Sequence, residues 1–372
     1  MNYSKSFLLF SAVFLAIVFA LGACTYIAPP EQLVSQPDGY RDWGKTPPGP
    51  KDRARHHIDG EKPFEWWYFD GHLDNGQTFV GVFHVPNFVT GNIEAMFTLY
   101  TKDWVREEHI ATLNPEEVDI SYDDISIETP AGFVRRIDDK TYHVKWTIDD
   151  IDAEFKLTTF SEGWIPHEDG GRVNQPDMDF FWAVHQGRNT VNGTITRNGK
   201  TQTVSGVGYA DHNWGKKPLN EITRKWIWGR IIAKDYTIIY ADVDYYEPGL
   251  EIDLLYIAKG KKVIVGSGSP YIRQWDFETH PGLKRHYPNQ VDIEFDSKDV
   301  SGKIFIKKKR LVEECDLLEI AGYNSFSQWI IKTFFARPIY FRVIADFEGS
   351  ITTDGKTDTI NGECLYEVMG FE

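Results

Sequence analysis

Few cysteines and no surplus of basic residues occur in this sequence, and both shortages exclude classes of protein. Three cysteines stand in 372 residues, and none forms a CxxC pair or a Cys/His spacing typical of metal sites. The formal net charge is -15, so the chain is a poor binder of polyphosphates and nucleic acid is not an expected partner. A serine hydrolase is not indicated either, because the nucleophile-elbow sequence G-x-S-x-G is absent.

Long amphipathic helical patterns are also absent, and short alternating segments take their place from about residue 60 onward. These segments are rich in β-branched and aromatic residues and are separated by hairpin turns such as "RNGK" and "TTDGKT", which predicts an all-β protein. The length fits two antiparallel sandwiches or barrels. We predict domains over 59–216 and 217–372, and one short helix in "NSFSQWIIKTFF" (324–335).

The N-terminus carries a targeting signal. An apolar run ends in "LGAC", which resembles the bacterial lipoprotein signal and implies removal of residues 1–23 and lipidation of Cys24. The alternative is an uncleaved anchor, and both interpretations place the remaining chain in the cell envelope, at a membrane. Residues 24–58 are rich in proline, glycine and charge and predict a flexible tether. Cys315 and Cys364 could pair or be two small buried hydrophobic residues.

The stretch "EWWYFDGHL" places two carboxylates among four aromatic side chains. As a strand, it directs Glu65 and Trp67 to one face and Trp66, Tyr68 and Asp70 to the other. Neither face is polar, so both faces are expected to be covered, and burial would raise the pKa of either acid. The stretch is therefore either the wall of a pocket or a structural brace whose acids are paired.

A second cluster of hydrogen-bonding side chains lies in "GVGYADHNWGKK". Alternation directs Tyr209, Asp211 and Asn213 to one side of a strand and His212 to the other. The alternative interpretation is an Asx turn with an adjacent tryptophan plug, here Trp214.

These two motifs, in this order and about 140 residues apart, resemble the paired hallmarks of the carotenoid 1,2-hydratase and AttH-like proteins. The closing segment "RPIYFRVIADFEG…NGECLYEVMG" is similar to the last strands of that family, and the resemblance covers about residues 55–372. It implies two tandem lipocalin-like β domains. The activities in that family are diverse, and they include hydration of an isoprenoid double bond and cyclising steps.

Hydration of an unactivated double bond requires a buried protonated acid, aromatic walls that stabilise a carbocation, and groups that orient one water. The resemblance implies that Asp211 donates the proton and that His212 or Asn213 holds its geometry. Tyr209 is a further orienting group, and Trp182 in "DFFWAVHQ" is a candidate for stabilising the cation or an ordinary core residue. The candidate substrate-binding residues are Glu65, Trp66, Trp67, Tyr68, Asp70, Trp214 and Trp228.

Neither a metal nor an organic cofactor is expected. A metal site would have to use histidines 72, 84, 185 and 212 with an aspartate, and no two of these histidines are at close ligand spacing. We expect an apolar isoprenoid or lipid as the ligand and a membrane as the partner of the lipid anchor. The leading hypothesis is a hydratase; the alternatives are a carrier of apolar ligands and an isomerase or cyclase that uses the same pocket.

Overall fold

The computed structural model describes residues 32–34, 44–87, 89–166, 179–246, 251–267, 270–320 and 338–371. The signal segment, Cys24 and the helix predicted over 324–335 lie outside the described residues. Within the described part of the chain, no helix has the length and hydrophobicity needed to cross a membrane.

The structure is built from antiparallel strands, and the expectation of an all-β protein is confirmed. In chain order, the strands are β1 (Gln32–Val34), β2 (Phe64–Leu73), β3 (Thr78–His84), β4 (Ile93–Tyr100), β5 (Arg106–Leu113), β6 (Asp119–Ile120), β7 (Ser126–Thr129), β8 (Gly132–Arg136), β9 (Thr141–Ile148), β10 (Ile151–Ser161), β11 (Phe180–Arg197), β12 (Lys200–Gly215), β13 (Thr223–Ala233), β14 (Tyr236–Tyr245), β15 (Glu251–Lys259), β16 (Lys262–Ser267), β17 (Tyr271–Thr279), β18 (His286–Asp296), β19 (Val300–Asp316), β20 (Ile339–Thr353) and β21 (Lys356–Gly370).

The strands form two curved sheets. The first sheet has the order β5-β4-β3-β2-β12-β11-β10-β9-β8-β7-β6, and the second has the order β1-β17-β18-β19-β20-β21-β13-β14-β15-β16. Apart from β1, each sheet takes its strands from one continuous half of the chain. Strand β12 ends the first half and runs antiparallel to β2, so the motif that begins the first sheet lies directly beside the motif that ends it.

The interior of the first sheet is filled by aromatic side chains. Trp67, Phe79, Phe97, Trp146 and Phe155 are almost completely buried in one cluster. A methyl group at Gly81 would come within 2.3 Å of the Trp146 ring, so a glycine is needed there. Because large rings occupy the space that a lipocalin uses for its ligand, this interior is a packed core.

A separate hydrophobic cluster lies between the two sheets. It joins Trp182 and Tyr209 of the first sheet to Ala241, Val243 and Leu254 of the second. The partly buried indoles of Trp66 in the first half and of Trp226 and Trp228 in the second half pack against it. An apolar site in this molecule is therefore found between the sheets, where both halves supply side chains.

Helical structure in the described residues is limited to a 3-10 turn at Pro115–Glu117 and three short helices. These are α1 (Pro50–Arg53), α2 (Leu219–Ile222) and α3 (Leu317–Ile320).

Residues 44–58, at the end of the segment expected to be a tether, make specific contacts with the first sheet. Arg53 pairs with Asp124, with 2.9 Å between Nε and Oδ1, and its backbone oxygen accepts a 3.0 Å hydrogen bond from the Trp67 indole. The backbone oxygen of Asp52 faces His212 Nδ1 at 3.0 Å. These contacts hold α1 against the first sheet, and β1 adds a short edge strand to the second sheet.

Both cysteines of the folded part are free thiols. Cys315 lies on β19 and Cys364 lies on β21, where it is buried. Burial raises the pKa of both thiols, that of Cys315 to about 12. Neither thiol is therefore an activated nucleophile.

Candidate active site

Three neighbouring strands of the first sheet carry the site. In the centre of the three, Asp211 on β12 lies opposite Tyr68 on β2 and Val184 on β11. Asn213, two residues further along β12, lies opposite Trp66 and Trp182. Since side chains alternate along a strand, these residues share the face that is turned toward the second sheet.

Asp211 is a buried carboxyl group held by three donors. The Trp182 indole donates to Oδ2 at 2.9 Å, and the Tyr209 hydroxyl donates to the same oxygen at 2.8 Å. The Asn213 amide donates to Oδ1 at 3.0 Å. All three donors come from residues named in the sequence analysis, and together they fix the orientation of the carboxyl plane.

The environment of Asp211 raises its pKa to about 7. Burial is the largest cause, because it penalises the charged form. The hydrogen bonds from Trp182 and Tyr209 lower the pKa, and the negative charges of Asp70 and Glu367 raise it. An acid with this pKa holds a proton near neutral pH and releases it readily, as a general acid must.

Asp211 forms part of the wall of a cavity between the two sheets. The cavity has a volume of about 120 Å³, well above the roughly 10–15 Å³ that one water needs. The cavity is lined by Trp66, Tyr68, Phe180, Trp182, Asp211 and Asn213 of the first half, and by Trp226, Trp228, Ala241, Val243, Tyr245, Leu254 and Glu367 of the second half. Most of the wall is aromatic or aliphatic.

One polar atom in the cavity wall has no acceptor within the described residues. The Trp228 indole nitrogen is buried and makes no hydrogen bond there. A buried donor of this kind is costly unless something accepts from it. A ligand oxygen in the cavity would satisfy it.

Asp70 does not line the cavity. Its Oδ1 lies 2.8 Å from a guanidinium nitrogen of Arg230 on β13, and both side chains are almost fully buried. The Tyr68 hydroxyl contacts the other oxygen at 3.4 Å. Burial nevertheless raises the pKa of Asp70, against the effect of Arg230. Asp70 therefore acts as an ionic link between the two sheets beside the site.

A second buried link between the sheets involves Glu367, a cavity residue. Arg342 donates to Glu367 Oε1 through Nε at 3.1 Å and through a terminal nitrogen at 2.8 Å. The same guanidinium donates to the Tyr100 hydroxyl of the first sheet at 2.7 Å. Tyr100 in turn donates to Glu313. This network fixes the Glu367 carboxylate at the cavity wall.

Four of the residues named from the sequence lie on the other face of the first sheet. His212 does not hold Asp211, because its ring faces Glu65, with 2.9 Å between Nε2 and Oε1. Trp67 stacks on His212, with 4.4 Å between the ring centroids. Trp214 stacks on His56 at 3.8 Å. Glu65, Trp67 and Trp214 are therefore not part of the cavity wall.

Burial and these contacts also shift the pKa values on that face. Burial lowers the pKa of His212, although the contact with Glu65 acts in the opposite direction. The pKa of Glu65 is lowered, since the bonds to His212 and His56 outweigh the effect of burial. The ligand atoms of His56, Glu65 and His212 all lie within 4.8 Å of one another, a spacing compatible with a bound metal ion.

Of the second-sheet residues in the cavity wall, the sequence indicates two, Trp226 and Trp228, as aromatic side chains that could stabilise a cation. The two tryptophans follow the same alternation in "KWIWG". Glu367 lies in the closing segment "CLYEVMG", where a single acid among apolar residues was the available signal. The aliphatic wall residues carry no signal that distinguishes them from ordinary core residues.

Known proteins share this fold. A structure described as a putative AttH from Nitrosomonas europaea matches with a TM-score of 0.60 at 16% identity, over 88% of this chain and 98% of that one. CghA with Sch210972 matches with a TM-score of 0.60 at 10% identity, over 92% and 99%. Kievitone hydratase from Nectria haematococca matches with a TM-score of 0.53 at 12% identity, over 89% and 98%. The fold expected from the AttH-like resemblance is thus confirmed.

Similarity in sequence covers a smaller part of the chain than similarity in structure does. The chain is similar to the quinolone epoxide rearrangement protein asqO of Emericella nidulans, with 27% identity over 142 residues. That match spans 37% of this chain and 36% of the length of the relative. No protein-family model matches the sequence.

Proposed function

We propose that this chain is a cofactor-independent acid catalyst that adds water to a double bond of an isoprenoid, either a carotenoid or a polyprenyl lipid. The observation that carries the proposal is Asp211, a buried acid with a pKa raised to about 7 that forms part of an aromatic cavity wall. Protonating an isolated double bond requires an acid that is kept neutral until it acts, and burial provides that.

The hydrogen bonds of Asp211 indicate which oxygen carries the proton. Oδ2 accepts from both Trp182 and Tyr209, whereas Oδ1 accepts from Asn213 alone. A carboxyl oxygen has room for about two such partners. The acidic proton of Asp211 is therefore assigned to Oδ1, and the three donors stabilise the carboxylate that remains after the proton has been transferred.

The aromatic wall suits the cation that forms next. Proton transfer from Asp211 to one carbon of the double bond leaves a tertiary carbocation on the other carbon. The faces of Trp66, Trp182 and Trp228 can stabilise this positive charge without reacting with it. The Asp211 carboxylate, formed in the same step, adds electrostatic stabilisation.

Water then completes the reaction. A water molecule held by the amide oxygen of Asn213 or by the Glu367 carboxylate attacks the cationic carbon and loses a proton. That proton returns to Asp211, directly or through Glu367, so the acid is regenerated. The net change is the addition of one water across the double bond, with no oxidant or cofactor required.

Substrate size and location follow from the cavity and the N-terminus. The cavity is small compared with typical ligand pockets of about 300–1,000 Å³, so it accommodates the reacting end of a long molecule and leaves the remainder outside. A chain anchored through Cys24 would meet such substrates at a membrane. The lipid anchor is part of the proposal and depends on the sequence signal alone.

Two alternatives use the same cavity. An isomerase or cyclase would protonate the substrate and then lose a proton without capturing water; the similarity to an epoxide rearrangement protein favours considering it. The Trp228 indole, which has no hydrogen-bond acceptor among the described residues, also favours a substrate that carries an oxygen atom. A carrier would bind the ligand without changing it.

One experiment separates these functions. The purified chain, in detergent, is incubated with carotenoid and polyprenyl substrates, and the products are analysed by mass spectrometry. A hydratase gives a product heavier by one water, an isomerase or cyclase gives a product of unchanged mass with a new retention time, and a carrier returns the ligand unaltered. Conversion that proceeds equally well in Asp211→Asn would overturn the assignment of the acid.

A further inference from the structure

A cluster of nitrogen and oxygen ligand atoms lies on the face of β12 opposite Asp211. His56 comes from the segment after α1, Glu65 from β2 and His212 from β12. Glu65 Oε1 lies 2.9 Å from His56 Nδ1 and 2.9 Å from His212 Nε2. Glu65 and His212 are almost fully buried, whereas about a fifth of the His56 side chain is exposed. The cluster is thus internal and can be reached from solvent through His56.

The contacts of the His212 ring require one more positive charge, a proton or a metal ion, between His212 and Glu65. The backbone oxygen of Asp52 can only accept, so the 3.0 Å contact with His212 Nδ1 requires that nitrogen to carry a hydrogen. In a neutral ring, Nε2 then presents a lone pair to Glu65 Oε1, which is also an acceptor. Two acceptors at this distance require a proton or a metal ion between them.

The contact with Asp52 also has the form of the outer contact of a metal ligand. A histidine that binds a metal through one nitrogen donates its other N–H to a backbone carbonyl or a carboxylate in most known sites, which fixes the tautomer and the ring orientation. His212 has this arrangement, and Trp67 stacks on its ring. The lone pair of Nε2 is therefore directed at the centre of the cluster.

A third histidine, His185, stands beside the cluster. His185 is 5% exposed, and among the described residues neither of its ring nitrogens makes a hydrogen bond of normal geometry, although the Asp52 backbone is close enough to influence its pKa. It sits where the register of β11 and β12 shifts, and such an irregularity turns a side chain out of the alternating pattern. Its ring centroid is 5.5 Å from that of His212.

These distances agree with ligands arranged around one ion. Two imidazole rings bonded at about 2.1 Å to the same ion have centroids roughly 4.5–5.5 Å apart, and the His56 and His212 centroids are 5.1 Å apart. Ligand atoms at right angles around such an ion are about 3.0 Å apart, close to the 2.9 Å separations from Glu65 Oε1.

We propose that His56, Glu65 and His212 bind a divalent first-row transition ion. Imidazole and carboxylate ligands suit zinc, cobalt, nickel and iron in this class. The sequence predicts no metal site, because the nearest of these ligands in the chain, His56 and Glu65, are nine residues apart. The ion would join the segment after α1 to β2 and β12, and so brace the strand that carries Asp211 from its opposite face.

The test uses the full-length chain in detergent, treated with a chelator and then dialysed. Co²⁺ and Zn²⁺ are the probes. The expected result is one Co²⁺ per chain, visible as d–d absorption bands, and displacement of that Co²⁺ by one equivalent of Zn²⁺. Removing even the outer partners of metal ligands lowers affinity by about 10–100-fold, so His56→Gln should lower Co²⁺ affinity by about 100-fold or more. His57→Gln, at the adjacent residue, should leave it unchanged.

Two outcomes would overturn the proposal. If the wild-type chain binds no stoichiometric Co²⁺ or Zn²⁺, the cluster is a charged His212–Glu65 pair and needs no ion. If His56→Gln and His57→Gln bind Co²⁺ as the wild type does, the ion lies elsewhere. The wild-type result decides the first case without any variant, and His56 is partly exposed, so its substitution by glutamine is compatible with folding.

Discussion

Asp211 and His212 are consecutive residues whose side chains serve opposite faces of the same strand. The Asp211 carboxyl accepts hydrogen bonds from Trp182, Tyr209 and Asn213 at the cavity between the sheets. The His212 imidazole contacts Glu65 on the other side of the sheet. A substitution at one of these positions therefore tests the cavity, and a substitution at the other tests the cluster behind it.

Replacing Asp211 by asparagine should abolish turnover. The amide keeps the size of the side chain but has no acidic proton, and general acids typically contribute about 10²–10⁴-fold to rate. Product formation measured by mass spectrometry should fall by at least that factor, while circular dichroism and quenching of tryptophan fluorescence by ligand remain as in the wild type. A variant that folds, binds and still turns over would show that Asp211 is not the acid.

Activity should decline as the pH rises above neutrality. The pKa of Asp211 is raised to about 7, so the protonated fraction, and with it kcat/KM, should fall tenfold per pH unit well above that value. A rate profile between pH 5 and 9 measures this. A profile that stays flat through pH 8 would contradict the role of Asp211.

The free energy of unfolding should also depend on the ionisation of Asp211, over a more acidic pH range than the activity does. Because the folded pKa of Asp211 lies above its ordinary value of 3.8, the folded state binds the proton more tightly than the unfolded state. Its contribution to the free energy of unfolding is complete below about pH 3.8 and is lost as the pH rises to about 7, at about 1.4 kcal/mol per pH unit. Urea unfolding at several pH values should show a dependence that is steeper in the wild type than in Asp211→Asn by this slope.

Removing the Tyr209 hydroxyl should move the pH profile upward. Its hydrogen bond lowers the pKa of Asp211, so Tyr209→Phe should raise that pKa and extend activity to higher pH. Tyr240→Phe is the matched control, because the Tyr240 hydroxyl is also buried and makes no hydrogen bond within the described residues. A shift of similar size in both variants would mean that the effect is not transmitted through the bond to Asp211.

The buried pair between the sheets should matter far more than an exposed pair. Arg230→Met leaves Asp70 buried without its partner, and such changes cost about 3–5 kcal/mol. Lys309→Met breaks the exposed contact with Glu363 and should leave the free energy of unfolding almost unchanged, because water and salt screen an exposed pair. Chemical unfolding measures both. In the double variant Asp70→Asn/Arg230→Met, a free energy of unfolding no higher than that of Arg230→Met would contradict this account.

The sequence predicted the faces of the motifs but not their surroundings. Alternation correctly separated Trp66 and Tyr68 from Glu65 and Trp67, and Asp211 from His212. It could not tell which of the two faces meets the second sheet, because both are apolar and both are covered. Glu65, Trp67 and Trp214, which the sequence presents as candidate substrate-binding residues, therefore lie on the face away from the cavity.

Long-range packing explains the remaining differences. Glu367 reaches the cavity because β21 pairs with β13. That pairing joins residues more than 100 positions apart, and no local sequence pattern near Asp211 predicts it. The order of the segment that includes His56 depends on acceptors and partners provided by Trp67, Asp124 and His212. Composition alone describes that segment as a linker.

The two halves of the chain contribute different kinds of residue to the cavity. Asp211 and the three residues that donate to it all belong to the first half, whereas the second half contributes mainly walls, such as Val243 and Leu254. The Asp211 carboxyl group with its three donors and most of the opposing apolar wall are therefore encoded in separate stretches of sequence. Exchanging second halves between homologues would change that wall and the residue at position 367 while Asp211 and its donors stay the same, and we expect such exchanges to change ligand selectivity.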